Sequence, residues 1–290
     1  MGYNGAMDPR NIGERLEDNA ALDRVADPAH RTVTALLSSA PLKDVLHGVW
    51  LGHPLHPVLT DLPIGFWTSA IVLDLVGGRA ARPAADVLVG AGVAAALPTA
   101  AAGFADWSEL GRPERRAGLV HAAANVTATA LYGLSFLARR RGHRASGVTL
   151  GLAGATAVTA GAFLGGHLSF RRGAGVSRAV HAPAADEWTE IQVEGTVGRE
   201  EPTLAQLGGE PLAAAEVAGG PAALFDTCSH LGGPLHEGTL VDGCVRCPWH
   251  GSTFRMVDGS VVRGPATAPQ PAYELRIDGE RMLARRRPPA

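Results

Sequence analysis

The chain has 290 residues, of which 46% are hydrophobic, 19% are charged and 5% are aromatic, with a formal net charge of −2. The apolar content excludes a disordered chain, and the three cysteines exclude a secreted scaffold held together by many disulfides. The near-neutral charge balance gives no electrostatic reason to expect a nucleic-acid partner. Length alone favours two domains.

Charges are distributed unevenly along the chain. Residues 87–105, 117–138 and 145–170 carry none, whereas the sequence after residue 178 has the composition of a soluble protein. A bilayer core of ~30 Å needs roughly 20 apolar residues in a helix. We therefore predict four transmembrane helices, over about residues 58–77, 85–106, 118–138 and 147–169. The alternative, a soluble Ala-rich bundle, is disfavoured because a stretch such as 147–169 has no charged face.

These patterns divide the chain into three parts. Residues 1–50 are a polar N-terminal segment, residues 51–178 a four-helix membrane domain, and residues 179–290 a soluble domain. Four spans place both termini on one side of the membrane, which we call side A. The loops on the two sides carry nearly equal numbers of arginines and lysines, so the positive-inside rule does not choose an orientation.

Histidines in the membrane domain gather at the side-A ends of the predicted spans. His53 and His56 lie at the start of the first span, His121 at the start of the third and His167 near the end of the fourth. Ionisable residues within a membrane are costly and are therefore functional candidates, although side chains near span ends can also be interfacial. The functional interpretation is a b-type haem, held by His121 with His167 or His56, or a quinone pocket.

Two segments of this region carry a family resemblance. The sequences "GHPLHPVLTDLPIGFWTSAIVLDL" and "GAFLGGHLSFRRGAGV" resemble a bacterial family of four-helix membrane domains of unknown function, DUF2231, over residues 45–180. The resemblance implies a fold and no established activity. The residues that carry it are His53, Pro54, His56, Pro57, Leu62, Pro63, Ile64, Gly165, Gly166, His167 and Leu168.

The soluble part contains short apolar runs separated by glycine and proline, which predict a β-rich domain over residues 186–287. Within it, Cys228-x-His230 and Cys247-x-x-His250 each offer one thiolate and one imidazole from a Gly- and Pro-rich loop. Such a set can hold zinc, but zinc fingers generally group cysteines with cysteines and histidines with histidines. A Rieske [2Fe–2S] centre needs two cysteines on one iron and two histidines on the other, which suits this interleaved order better.

The segment "CSHLGGPLHEGTLVDGCVRCPWHGSTF" closely resembles the Rieske domain family, and the resemblance covers about 100 residues. It implies an all-β domain with a [2Fe–2S] cluster. Cys228 and Cys247 would bind one iron, and His230 and His250 the other. His236, between the two halves of the pattern, is expected to be a surface loop residue.

Departures from the high-potential members of that family indicate a ferredoxin or oxygenase type. Rieske proteins of bc complexes join the two loops by a disulfide, and Gly233 and Trp249 occupy those two positions here. Ser252 matches a hydroxyl that bonds a cluster sulfide, whereas Phe254 replaces a tyrosine that would donate a second bond. Donors to the cluster sulfurs stabilise its reduced form, so we expect a potential in the lower half of the range of roughly −150 to +300 mV.

Together the resemblances imply a membrane-anchored one-electron transfer protein. Its partners would be a reductase, an oxidase or an oxygenase, with a further relay to haem or quinone in the membrane domain. The alternative is a membrane-tethered ferredoxin component of an oxygenase system, with the helices as a plain anchor. A self-contained Rieske oxygenase is not expected, because it needs a mononuclear iron site of two histidines and a carboxylate, and no histidine follows His250.

The expected location is the cell membrane, with the lipid bilayer around a multi-pass domain. Cys244 has no partner cysteine for a disulfide, and a free thiol favours a reducing compartment. We therefore expect side A, with both termini and the cluster domain, to be cytoplasmic.

Overall fold

The computed structural model describes residues 11–288, which belong to two compact units. Among the described residues, the first unit comprises 11–39 and Leu55–Ala174, and the second comprises Ala40–Pro54 and 175–288. The first ten residues of the predicted N-terminal segment lie outside the described residues. The domain boundaries after residues 50 and 178 remain predictions.

Helices make up the first unit, and they extend into the segment expected to be merely polar. Two of the long helices, Arg82–Ser108 and Arg112–Arg140, begin with an Arg-Pro pair, and proline is well tolerated in the first helical turn because the N–H that it lacks would have no intrahelical partner there. A single π-helical turn, His167–Arg171, follows the last helix. In chain order the α-helices are α1 Ile12–Asp18, α2 Asp23–Leu36, α3 Ala40–His47 (part of the second unit), α4 Leu55–Val76, α5 Arg82–Ser108, α6 Arg112–Arg140 and α7 Arg144–Gly166.

The predicted number of four membrane spans is wrong. Among the described residues, three helices are long and apolar enough to cross a membrane: Leu55–Val76, Arg82–Ser108 and Arg144–Arg171. Helix α6 covers the third predicted span, but uncharged polar side chains such as His121 and Asn125 lower its hydropathy. Absence of charge alone therefore does not make a helix apolar enough to cross a membrane.

A buried network of ion pairs joins the four long helices. Arg139 in α6 contacts Asp74 in α4 at 2.5 Å and Asp86 in α5 at 3.1 Å. Arg144 in α7 contacts the same two carboxylates, at 2.5 and 2.8 Å. The side chains of Arg139 and Asp74 are almost fully buried, so removal of either would leave an uncompensated charge in the interior. This pairing explains how the first predicted span accommodates Asp74.

The second unit is the predicted β-rich domain. Among residues 11–288, the strands are β1 Thr189–Val193, β2 Thr203–Leu207, β3 Glu210–Val217, β4 Gly220–Phe225, β5 Thr239–Val241, β6 Cys244–Arg246, β7 Thr253–Arg255, β8 Val261–Arg263, β9 Ala272–Asp278 and β10 Arg281–Arg286. Six of these strands close into a barrel in the order β1-β10-β9-β4-β3-β2, and the four short strands form a separate sheet in the order β5-β6-β7-β8. Neighbouring strands run antiparallel throughout.

A tight hairpin in the smaller sheet sets the register of the strand that leads to Cys247. Asp242 and Gly243 both have positive φ, 50° and 73°, as a two-residue hairpin turn of the I′ type requires. The turn pairs Val241 with Cys244, and Cys244 in turn pairs with Arg255 on β7. The loop between β6 and β7 therefore leaves and re-enters the sheet at fixed positions.

Candidate functional site

Two loops of the second unit carry the four residues predicted to be cluster ligands. The first loop follows β4 and holds Cys228 and His230, and the second joins β6 to β7 and holds Cys247 and His250. The two thiol side chains lie together, with Cys228 only 1% and Cys247 only 3% exposed. The two imidazoles also lie together, with ring centroids 5.0 Å apart, and both are partly exposed.

Backbone hydrogen bonds hold each loop in the same way. In the first loop, the N–H of Cys228 donates to the carbonyl of Gly233, and the N–H of Gly232 donates to the carbonyl of Cys228, both at 2.9 Å. In the second, the N–H of Cys247 donates to the carbonyl of Ser252 at 2.8 Å, and the N–H of Gly251 donates back at 3.1 Å. Each cysteine is thus fixed at both its donor and its acceptor.

The contact between the two thiols favours one thiolate. The pKa of Cys247 is lowered to about 6 by its hydrogen bond with Cys228, with support from the backbone N–H groups of Trp249 and His250. The same hydrogen bond, together with burial, raises the pKa of Cys228. Because iron binds the thiolate form of cysteine, the lowered pKa of Cys247 favours the form that a metal needs at this position.

The pairing of donors also distinguishes the two metal sites that the sequence left open. A structural zinc ion needs four ligands converging on one point, as in Cys2His2 sites. Among residues 11–288, no three side chains of His, Cys, Asp or Glu converge in this way. Two buried thiols beside two partly exposed imidazoles instead form a donor set that fits a two-iron cluster, with sulfur ligands on one iron and nitrogen ligands on the other.

Gln270, which the sequence analysis did not single out, braces the first loop. Its side-chain Nε2 donates to the carbonyls of Phe225 and Thr227, at 2.5 and 2.7 Å, and its Oε1 accepts from the N–H of Ser229 at 2.9 Å. The last two contacts flank Cys228 on either side. With only 2% of its surface exposed, Gln270 meets its hydrogen-bonding needs entirely within this loop region.

Ser252 and Phe254 are both completely buried beside the second loop. The Ser252 hydroxyl oxygen accepts a hydrogen bond from the N–H of Ala266 at 3.0 Å. An accepting hydroxyl keeps its own hydrogen for a second bond, which is what a donor to a cluster sulfide needs. Phe254 lies in the same apolar cluster as Cys228 and Cys247.

Gly233 and Trp249 face each other across the two loops, at the positions where bc-type proteins have a disulfide. A Cβ atom on Gly233 would lie 2.8 Å from the Cys247 sulfur and 3.0 Å from the Trp249 ring. Real Cβ atoms essentially never approach other atoms so closely, so only glycine fits here. The two loops therefore approach closely here without a covalent link, since none of the three cysteines forms a disulfide.

His236 is more than the surface loop residue that was expected. Its Nδ1 lies 2.8 Å from Oδ2 of Asp226, and its backbone N–H donates to Oδ1 of the same carboxylate at 2.7 Å. Asp226 is itself buried and lies two residues before Cys228. No local sequence pattern indicates the pairing of Asp226 with His236, because the two residues are ten positions apart in the chain.

In the helical unit, the structure brings together two of the three histidines proposed for haem or quinone. The rings of His56 and His121 have centroids 6.4 Å apart. The third, His167, instead bonds through Nε2 to the buried carboxylate of Glu17 in α1, at 2.8 Å. Arg172 pairs with the same carboxylate.

Known families match both the helical part and the β-rich part of the chain. The family model described as "Predicted membrane protein (DUF2231)" matches residues 52–178, and the Rieske [2Fe-2S] domain model matches residues 187–274. The ferredoxin subunit of anthranilate 1,2-dioxygenase from Burkholderia cepacia is 35% identical over 98 residues, covering 33% of this chain and 82% of that protein. Ferredoxin CarAc from Metapseudomonas resinovorans is 35% identical over 80 residues, covering 27% of this chain and 75% of that protein.

A solved structure of a ferredoxin is also similar to part of the chain. The ferredoxin of carbazole 1,9a-dioxygenase from Nocardioides aromaticivorans IC177 is 20% identical, with a TM-score of 0.31, and the match covers 34% of this chain and 98% of that one. The two sequence relatives above, by contrast, exceed 30% identity over most of their length and show the family. The protein is therefore an electron carrier with a [2Fe–2S] cluster as its cofactor. The chain belongs to the Rieske [2Fe–2S] family through residues 187–274, which follow a predicted membrane domain of the DUF2231 family.

Proposed function

We propose that the protein is a membrane-anchored one-electron carrier, in which Cys228 and Cys247 bind one iron of the cluster and His230 and His250 bind the other. The observation that carries this proposal is the burial of both thiols beside two partly exposed imidazoles. When bound, the cluster supplies one-electron storage. The chain excludes water from the thiolate side and leaves the imidazole edges accessible.

The accessible imidazoles define where a redox partner would approach. Trp249 is 57% exposed, and its ring centroid lies 6.5 Å from that of His250. An exposed aromatic side chain next to a ligand gives a partner protein an apolar contact close to the electron-accepting centre. We infer that the reductase, oxidase or oxygenase that exchanges electrons with this protein docks over His230, His250 and Trp249.

The anchoring part of the proposal rests on the helical unit. Its match to a predicted membrane family, and the three sufficiently long apolar helices found among residues 11–288, support a bilayer as the surroundings of this unit. The cell membrane, with the cluster unit on the cytoplasmic side, remains our proposal for location. It is consistent with Cys244, which has no disulfide partner and would persist as a free thiol in a reducing compartment.

The ligand assignment is tested by electron paramagnetic resonance (EPR) of the reduced full-length protein in mild detergent. Cys247→Ser and His250→Ala should each abolish the Rieske signal, because each removes one of four ligands. Cys244→Ser and His181→Ala are the matched controls, since both residues lie in the same unit outside the site, and both should keep the signal. A full signal in Cys247→Ser or in His250→Ala would overturn the assignment.

A second function is favoured by the relatives, two of which are ferredoxins by name and one of which is a subunit of a dioxygenase. In this alternative the protein is a tethered ferredoxin component of an oxygenase system, and the helices serve only for localisation. The cluster site would be the same in both cases. The difference lies in whether the helical unit carries a redox group of its own.

A further inference from the structure

The helical unit contains a pair of histidines that the cluster site does not use. His56 in α4 and His121 in α6 have ring centroids 6.4 Å apart and ring planes inclined by 80°. Both lie within the region that matches the membrane family, where ionisable side chains are costly and mark functional positions. Helix α6, which carries His121, is also the long helix that falls short of the apolar character of a membrane span.

Each histidine is anchored to a different helix through the same ring nitrogen. Nδ1 of His56 lies 2.9 Å from the carbonyl oxygen of Thr99 in α5, and Nδ1 of His121 lies 2.8 Å from that of Gly161 in α7. A carbonyl only accepts, so each Nδ1 carries the hydrogen and each Nε2 carries a lone pair. Metal-binding histidines are held in this way, with one ring N–H donated to a carbonyl or carboxylate.

Neither Nε2 lone pair accepts a short hydrogen bond from another group in the described part of the chain. For His56, the described part of the chain offers no hydrogen-bond partner at Nε2. For His121, the Nδ2 atom of Asn125 lies at 3.3 Å, which is long for a hydrogen bond, and the same amide group also donates to the His121 carbonyl at 2.9 Å. Both rings therefore retain a nitrogen that can bind an external group.

Two glycines hold the rings in place. A Cβ atom on Gly103 in α5 would lie 2.7 Å from Cε1 of His56, and one on Gly165 in α7 would lie 3.1 Å from Cε1 of His121. Each imidazole is thus packed directly on the backbone of a neighbouring helix as well as bonded to it. Ligands fixed by packing and hydrogen bonds are preorganised, because their orientation is set before the bound group arrives.

The number of ligands selects the bound group. Zinc sites take three or four protein ligands, and no third His, Cys, Asp or Glu side chain of residues 11–288 converges on this pair. Haem iron needs only axial ligands, because the porphyrin supplies the other four. Two imidazoles on opposite sides of one metal, each about 2.0 Å from it, place their centroids ~6 Å apart, close to the spacing observed here.

We propose that His56 and His121 are the axial ligands of a haem group in the helical unit. His167 is not part of this site, because its Nε2 is bonded to Glu17. The inference deepens the proposed function and depends on it for the redox role of the haem, which would be a second one-electron centre in the same chain.

The test is the visible spectrum of the full-length protein, purified in mild detergent from cells supplied with a haem precursor. We expect a Soret band and about one haem per chain by the pyridine haemochrome assay. His56→Ala and His121→Ala should each lose most of the band, and added imidazole should restore part of it by entering the vacated space. His53→Ala is the matched control, because His53 is exposed and lies three residues before His56, and it should keep the band.

A variant that leaves both ligands in place separates ligation from folding. Gly103→Ala should weaken or shift the Soret band, since its new methyl group would displace the His56 ring. In every variant, the Rieske EPR signal reports independently on the cluster unit. A wild-type protein with a full Rieske signal and no Soret band, even after hemin is added, would overturn the haem and leave the proposed function standing. Co-purified quinone lost in both histidine variants, without a Soret band, would overturn it in favour of a quinone site.

Discussion

At the scale of single residues, the site divides into side chains that bind the cluster and side chains that hold its loops. The four ligands were predicted from their spacing, because a Cys-x-His and a Cys-x-x-His pair carry a chemical pattern within a few residues. Gln270 carries no such pattern. It lies 42 residues after Cys228 in the chain, and only the closed barrel brings its amide group to Thr227 and Ser229.

Phe254 gives a prediction about the reduction potential. Phe254→Tyr adds a hydroxyl in the buried cluster of side chains around both thiols. A new donor to a cluster atom stabilises the reduced form, and a hydrogen bond of about 1 kcal/mol corresponds to a rise of ~40 mV for one electron. Protein-film voltammetry measures this rise.

A conservative substitution away from the site serves as the control for that measurement. Tyr273 is equally buried but belongs to the barrel core, and its hydroxyl already donates to the carbonyl of Pro183 at 2.7 Å. Tyr273→Phe should leave the potential unchanged while it lowers stability. A Phe254→Tyr potential equal to that of the wild type would show that residue 254 does not reach the cluster.

At the scale of elements, composition predicted helices well and the roles of polar residues poorly. The uncharged stretch 117–138 correctly indicated a helix, since α6 covers it, but it also holds polar side chains that an interior site uses. From the sequence, the segment before residue 50 is described only as polar, and no packing partner is assigned to it. In the structure α1 joins that unit through Glu17, because a carboxylate 150 residues before His167 becomes its partner only after folding.

Glu17 gives a prediction about pH and stability. Burial alone would raise the pKa of this carboxyl, but hydrogen bonds from Arg172 and His167 outweigh it and lower the pKa below its ordinary value of 4.5. A lowered pKa in the folded state stabilises the protein above the unfolded-state pKa. The contribution is therefore complete above about pH 5 and is lost as the pH falls through the lowered pKa.

Glu17→Gln should remove this contribution at neutral pH and cost about 2 kcal/mol, less than for a fully buried pair because Arg172 is partly exposed. The loss is measured by thermal unfolding of the full-length protein in detergent, with proteolytic cleavage of the N-terminal helix as the readout of unfolding. Glu14→Gln is the matched control, since Glu14 is on the same helix and its pairing with Arg171 is exposed. Equal stability of Glu17→Gln and wild type from pH 4 to pH 7 would contradict the prediction.

At the scale of the whole molecule, the two units are suited to different solvents. The residue at which a fragment begins therefore decides whether the cluster domain stays folded. A cut before residue 186 follows the sequence boundary of the β-rich region. It would remove Ala179, Ala182 and Ala185, which are buried in the barrel core. It would also remove the carbonyl of Pro183 that Tyr273 uses and the N–H of Arg178 that donates to Ser229 beside the first loop.

We therefore predict different behaviour for two fragments of the C-terminal part of the second unit, both of which lack Ala40–Pro54. Residues 175–290 should be soluble and hold the cluster with the EPR signal of the full chain, whereas residues 186–290 should lose much of the bound cluster on size-exclusion chromatography.

The full-length protein should stay in the membrane pellet after alkaline carbonate extraction, because three helices among residues 11–288 are long and apolar enough to lie in a bilayer. Extraction of the full chain by carbonate would contradict anchoring.

A fragment 175–290 that accepts electrons from a ferredoxin reductase as fast as the full chain would favour the plain-anchor alternative, since a redox group in the helical unit would then add nothing to that step.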